Sequence, residues 1–292
     1  MDFNIEGFGI ILVVIAIVAA MIFAGPFLKK KFPKYKQLTN TWFFWIGIGL
    51  ICLIWLIVFR FSGAWHNLAE DIKNNGGSIK GVEDYTISKA LFLDACPFCA
   101  FYMCILLIVD PTRKGAKLLS PLSIMGGMIT ILSFAFDSDI KFTFHNIFIN
   151  SGGPNNCYVI MHIIQVLLAV AVLVNTPKYT WKGFLMAIGV TGLFYIYVAI
   201  LMTATGCESY VSGLSIKDWQ LGGEYWRVAD ILNCSPTVAA CVGLPCMFAL
   251  GCGLVILKDF VFSKWIWTYG NAYSGKFWAW YDYNKTVKLK FI

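Results

Sequence analysis

The chain has 292 residues, of which 59% are hydrophobic and only 13% charged, and its mean hydropathy is +0.71. Soluble domains carry about 25% charged residues, so a water-facing globule is excluded and lipid is the expected solvent. The net charge of +7 does not point to nucleic acid, because the lysines flank apolar runs and membrane topology accounts for them.

In chain order, Met1 to Glu6 carries two acids and no basic residue. The positive n-region of a cleavable signal is missing, and the first apolar run, 8–28, reads as a retained helix. Six further runs have bilayer length: 42–61, 88–109, 118–136, 157–174, 181–205 and 236–257. The fourth is short and holds Ser123, Gly126, Gly127 and Thr130, small residues that suit close helix packing rather than lipid contact. The predicted fold is all-α: a polytopic membrane bundle of about seven transmembrane helices within residues 1–260. Residues 261–292 form a tail in which Trp265, Trp267, Trp278 and Trp280 alternate with lysines, as expected of a segment on the inner membrane surface.

Loop charge sets the orientation. Lys29, Lys30, Lys31, Lys34 and Lys36 follow the first run; Arg113, Lys114 and Lys117 follow the third; Lys178 and Lys182 precede the sixth. Lys258 and the five lysines of the tail add six more. The opposite loops hold Arg60, Lys73, Lys80, Lys89, Lys141, Lys217 and Arg227. The excess of positive charge belongs inside, which predicts the N-terminus outside and the C-terminus in the cytoplasm. That result requires an odd number of spans, and seven is odd.

Polar residues in membrane spans are costly and mark function. Asp94, Cys96, Cys99 and Cys104 fall on the third run, His162 and Gln165 on the fifth, and Asp137 closes the fourth. Counted from the outside, Cys96 lies roughly 12 Å and His162 roughly 8 Å into their helices. A thiol and an imidazole at similar depth beneath one face are the elements of nucleophilic catalysis, with an acid to orient the imidazole. The same cysteine opens a C-x-x-C pair with Cys99, the pattern of thiol–disulfide exchange; Cys157, Cys207 and Cys234 lie on or near the outside, where they can relay electrons or form disulfides. A third possibility is a transporter or receptor whose cavity His162 and Asp94 line. No second C-x-x-C completes a zinc site, and no cofactor or metal motif is found.

Leu91-Phe92-Leu93-Asp94-Ala95-Cys96 is similar to the Leu-x-Leu-His-x-Cys element of the YwaF-like integral membrane proteins, with Asp94 where that family has His. Tyr158-Val159-Ile160-Met161-His162, the basic loop 110–117, the Gly152-Gly153 loop and the stretch 228–232 resemble further elements in the same order. These proteins are related to animal transmembrane phospholipid acyltransferases. The resemblance implies acyl transfer between membrane phospholipids through a Cys96 thioester, assisted by His162, with Asp94 or Asp137 orienting it. The expected setting is a multi-pass protein of the cell membrane whose partners are phospholipids.

Overall fold

The computed structural model describes residues 3–136, 141–149, 157–176, 179–207 and residue 233. Among these residues the chain is helical throughout, without a strand. Its helices are α1 (Ile5–Lys31), α2 (Pro33–Asn40), α3 (Trp42–Leu56), α4 (Ser62–Asn74), α5 (Asp84–Ala90), α6 (Ala95–Val109), α7 (Lys114–Ser133), α8 (Phe144–Phe148), α9 (Tyr158–Val174) and α10 (Trp181–Thr205). Five helical segments are long and apolar enough to cross a membrane: Ile5–Gly25, Trp42–Asn74, Asp84–Val109, Lys114–Phe136 and Trp181–Thr205. The apolar α9 is shorter, at 17 residues. The seventh predicted span, 236–257, the tail 261–292 and the Gly152-Gly153 loop lie outside the described residues.

The helices form where apolar runs meet capping chemistry. Asn4 accepts the Gly7 amide at 3.0 Å to open α1, and Thr180 accepts the Gly183 amide at 3.1 Å to open α10, each supplying a partner for an otherwise orphaned donor. Gly206, with φ 76°, closes α10 in the left-handed conformation. Two helices sit at the centre. α7 packs against α6, α9 and α10, and α9 also packs against α1 and α6. Ser120, Ser123, Gly126 and Gly127 are all buried on α7. A Cβ on Gly127 would lie 2.5 Å from Val166 Cγ2 and 3.3 Å from the His162 carbonyl, so the absent side chain is what lets α7 and α9 approach. Conversely α1, α3 and α10 leave Val13, Phe43, Ile51, Leu193 and Ile200 exposed, an outer surface suited to lipid and untenable in water.

Pro121 stands inside α7. It has no amide to give the carbonyl one turn back, that of Lys117. The Tyr179 hydroxyl, from the loop before α10, donates to that carbonyl instead.

Two boundaries differ from the sequence expectation. The second span does not stop at Phe61. It passes through a π-helical turn, Ile57–Phe61, and continues as α4 to Asn74. Residues 62–87 are therefore a helical hairpin rather than an irregular loop. Its tip is closed by Asn75, whose amide donates to Ser78 and Lys80 carbonyls at 2.9 and 2.8 Å. The third span is not one helix either. It breaks between α5 and α6, at residues 91–94, where Phe92 adopts φ 55°.

The connections fall into two sets at opposite ends. At one end Arg113 Nη1 donates to the Thr39 carbonyl at 3.2 Å, and Lys117 lies over the Tyr179 ring at 4.2 Å. At the other, the Asn4 amide donates to Ala135 O at 2.8 Å, Trp55 Nε1 to Phe148 O at 3.1 Å, and the Cys207 thiol to Asp84 O at 3.7 Å. Successive spans thus run in alternating directions.

Candidate functional site

The break in the third span is a constructed feature. A helix end inside a membrane leaves carbonyls that must find partners. Trp65 Nε1, from α4, donates to the Ala90 carbonyl at 3.0 Å. The Tyr197 hydroxyl, from α10, donates to the Leu91 carbonyl. Phe92 is held by rings on three sides: Phe101 stacks on it at 4.7 Å, Phe61 meets it edge-on at 4.9 Å and Trp65 at 6.2 Å. A non-glycine residue at positive φ costs of order 1–3 kcal/mol, and such ring pairs are each worth about 0.5–1.5 kcal/mol, so the cluster can hold the strained turn.

Asp94 stands at the start of α6, directly after this turn. Its carboxylate accepts Lys89 Nζ at 2.6 Å and Ser88 Oγ at 3.2 Å. The Lys89 and Asp94 side chains are only 10% and 14% exposed. A buried ion pair of this kind adds little net stability but is costly to half-remove. Arg60 is brought in by the π-helical turn and is buried as well, near enough to Asp94 for the carboxylate's charge to act on it. The hydroxyl of Ser88 is fully buried.

His162 lies on the first turns of α9 and is 2% exposed. Its Nδ1 contacts the Tyr158 carbonyl at 2.6 Å, so in the neutral ring this nitrogen donates and Nε2 is the proton acceptor. The rings of Tyr158 and Phe134 enclose it edge-on at 4.6 and 6.5 Å. Arg60, Lys89 and Asp94 are close enough for their charges to act on it. The predicted orienting contact from Asp94 is not the one formed: a backbone carbonyl fixes the imidazole, and Asp94 is engaged by Lys89 and Ser88.

Cys96 is partly buried in the first turn of α6. Its sulfur lies 3.8 Å from the Thr130 hydroxyl of α7, which itself donates to the Gly126 carbonyl at 3.2 Å. The sulfur and the Gln165 amide nitrogen flank one point, 3.3 and 3.4 Å from where a Cβ on Gly126 would stand. Gln165 is locked by a reciprocal pair: Nε2 donates to Ser123 O at 2.8 Å, and Ser123 Oγ donates to Gln165 O at 3.1 Å. The Cys96 sulfur thus lies by Gly126 and the His162 carbonyl by Gly127, and the imidazole bonds the Tyr158 carbonyl rather than the thiol.

The other described cysteines lie apart from this arrangement or within the packed interior. Cys99 and Cys104 are fully buried, and the Cys157 thiol donates to Phe148 O at 3.1 Å. None of these is in a disulfide. No cluster of three metal-ligating side chains occurs among the described residues. Asp137, the fourth predicted site residue, and Cys234 lie outside them.

Sequence reading missed Arg60, Lys89 and Ser88 as site residues, counting the two cations only as loop charges. The available signal was that Arg60 is one of three arginines, placed at the edge of an apolar run.

Comparison with known proteins gives a family without an assigned activity. A family of unknown function, DUF5378, matches residues 11–285. Uncharacterized protein MG135 of Mycoplasma genitalium is 24% identical over 170 residues, 55% of this chain and 58% of that protein. The MG135 homolog of Mycoplasma pneumoniae is 28% identical over 159 residues, 53% of this chain and 55% of that protein. The chain spans just over half the length of these relatives. No solved structure matches.

Proposed function

We propose, for a chain that belongs to the family of unknown function DUF5378, that it is a multi-pass protein of the cell membrane with seven spans and its N-terminus outside, and that the buried polar cluster at the helix break recognises a polar ligand, as in a transporter or receptor. The alternation of the described spans supports the topology. It gathers the basic connections around Lys36 and Arg113 at one end, which the positive-inside rule assigns to the cytoplasm.

One observation carries the ligand reading. A membrane span is interrupted, and beside the interruption stand the buried Lys89–Asp94 pair, Arg60 and His162. Broken helices at membrane depth are tolerated where protein buries them or a cavity solvates them, and charged groups gathered at such a break commonly serve a substrate or ion. The test uses Lys89→Met/Asp94→Leu, in which the pair is replaced by apolar residues of similar size. Thermal unfolding of the purified chain is followed against a panel of amino acids, organic anions and polyamines. A solute that stabilises the parent chain but not the double variant is expected; equal shifts in both, or none in the parent across the panel, would overturn the reading.

A second reading, acyl transfer, is favoured by the His162 tautomer. With Nδ1 spent on Tyr158 O, Nε2 is available to take a proton, and Cys96 lies in the first turn of a helix, where thiolate is stabilised. In it, the Cys96 thiol gives up its proton and attacks a phospholipid ester, the acyl C–O bond breaks, and the lysophospholipid leaves with a proton returned to its oxygen. The thioester then passes the acyl group to a second lipid's hydroxyl, as the resemblance to the YwaF-like proteins implies. Acyl-chain exchange in lipid extracts is expected to vanish in Cys96→Ser and to survive in Cys99→Ser; an unchanged profile in Cys96→Ser sinks this reading.

A further inference from the structure

At the other end of the bundle, Arg113 has an unusual setting. It adopts φ 58° at the start of α7, and its side chain is 3% exposed. The guanidinium lies over the Trp45 ring at 5.2 Å, and Nη1 donates to Thr39 O, the carbonyl that also accepts Trp45 Nε1 at 2.9 Å. Nε is buried with no partner. The nearest acid in sequence, Asp110, is spent on the helix start, where it accepts from Thr112 N, Thr112 Oγ1 and Gly115 N at 2.8, 2.6 and 2.9 Å. Among the described residues no ion pair to Arg113 forms. Burial lowers its pKa to about 10, with the charge of Asp110 opposing the shift, so the group stays a cation at neutral pH with an unmet need for an anion.

Two lysines lie within a turn of the Arg113–Thr39 bond. Lys114 follows Arg113, and Lys36 is three residues before Thr39, whose hydroxyl donates to the Lys36 carbonyl at 3.3 Å. The flank is aromatic: Trp42 and Tyr35 are 39% and 38% exposed. Cations backed by exposed Trp and Tyr are the side-chain chemistry of the headgroup layer. An anion at this corner offsets the desolvation of the guanidinium, since charge-assisted interactions of Arg with phosphate are among the stronger ones.

We infer that the corner between α2 and the start of α7, centred on Arg113 with Lys36 and Lys114, binds the phosphate of an anionic glycerophospholipid. This rests on the membrane reading but not on the outer site or on orientation, because both ends are accessible in micelles. The purified full chain in a neutral detergent is titrated with phosphatidylglycerol, phosphatidylcholine or inorganic phosphate, and its unfolding midpoint is recorded at low and high salt. Phosphatidylglycerol is expected to raise the midpoint in a salt-sensitive way, and phosphatidylcholine is not. Each of Lys36→Gln and Lys114→Gln should weaken the apparent affinity roughly fivefold, and Arg113→Gln at least as much; Lys141→Gln, at the far end, should leave it unchanged. If Arg113→Gln does not fold, the two lysine variants decide. Equal responses in parent and lysine variants, or equal responses to the two lipids, overturn the inference. So does inorganic phosphate reproducing the whole effect, which would make this a site for a free anion.

Discussion

The residue that most constrains this molecule is Asp94. The sequence shows only an acid in a membrane run, and the resemblance assigns it a histidine's place. In the structure its carboxylate holds Lys89 and Ser88 across the helix break, while a main-chain carbonyl orients His162. The energetic consequence is asymmetric, because a buried charge without its partner pays full desolvation. Lys89→Met is expected to destabilise the chain by roughly 3–5 kcal/mol, whereas Lys89→Met/Asp94→Leu lies much closer to the parent. Unfolding midpoints of the two variants and the parent check this; a double variant no better than the single one would mean the pair is not the local determinant.

At the scale of elements, the third span is two helices joined by a strained turn, and side chains from other helices satisfy its exposed carbonyls. Tyr197→Phe removes the donor to Leu91 O and is expected to cost about 1–3 kcal/mol. Amide exchange should rise at residues 91–95 while α9 is unaffected; uniform loosening would indicate a general packing defect instead. The α7–α9 contact gives an independent case. Gly127→Ala places a methyl 2.5 Å from Val166 Cγ2, so the helices must part, at a cost of about 1–3 kcal/mol. Gly9→Ala, where a Cβ meets nothing within 4 Å, is the control and should leave the unfolding midpoint close to that of the parent.

For the whole molecule, the proposed topology predicts labelling from opposite sides. With a membrane-impermeant maleimide on intact cells, Ser78→Cys in the outer hairpin should react above the parent background. Gln37→Cys, on α2, should react only after the membrane is opened. The reverse pattern inverts the orientation, and reaction at both positions breaks the alternation. The sequence by itself determined the all-helical class and several apolar spans: hydropathy requires lipid, and the limits of α10 coincide with the run 181–205 because an apolar stretch of bilayer length has no solution there except helix. It also pointed to α7 as a packing helix, since small residues bring backbones together. Local composition could not reveal the break at 91–94, because Leu91, Phe92 and Leu93 are as apolar as any helix interior, and the carbonyls of Ala90 and Leu91 are satisfied by Trp65 and Tyr197, which come from other helices. Nor could it reveal Arg60 as a buried group, since the π-helical turn that carries it inward is set by packing across the bundle. Asp94 and Lys89 were legible as charges, but their pairing, and the separate contacts of Cys96 with Thr130 and of His162 with the Tyr158 carbonyl, were decided by the tertiary structure, because only the assembled helices exclude water and fix which polar groups face each other.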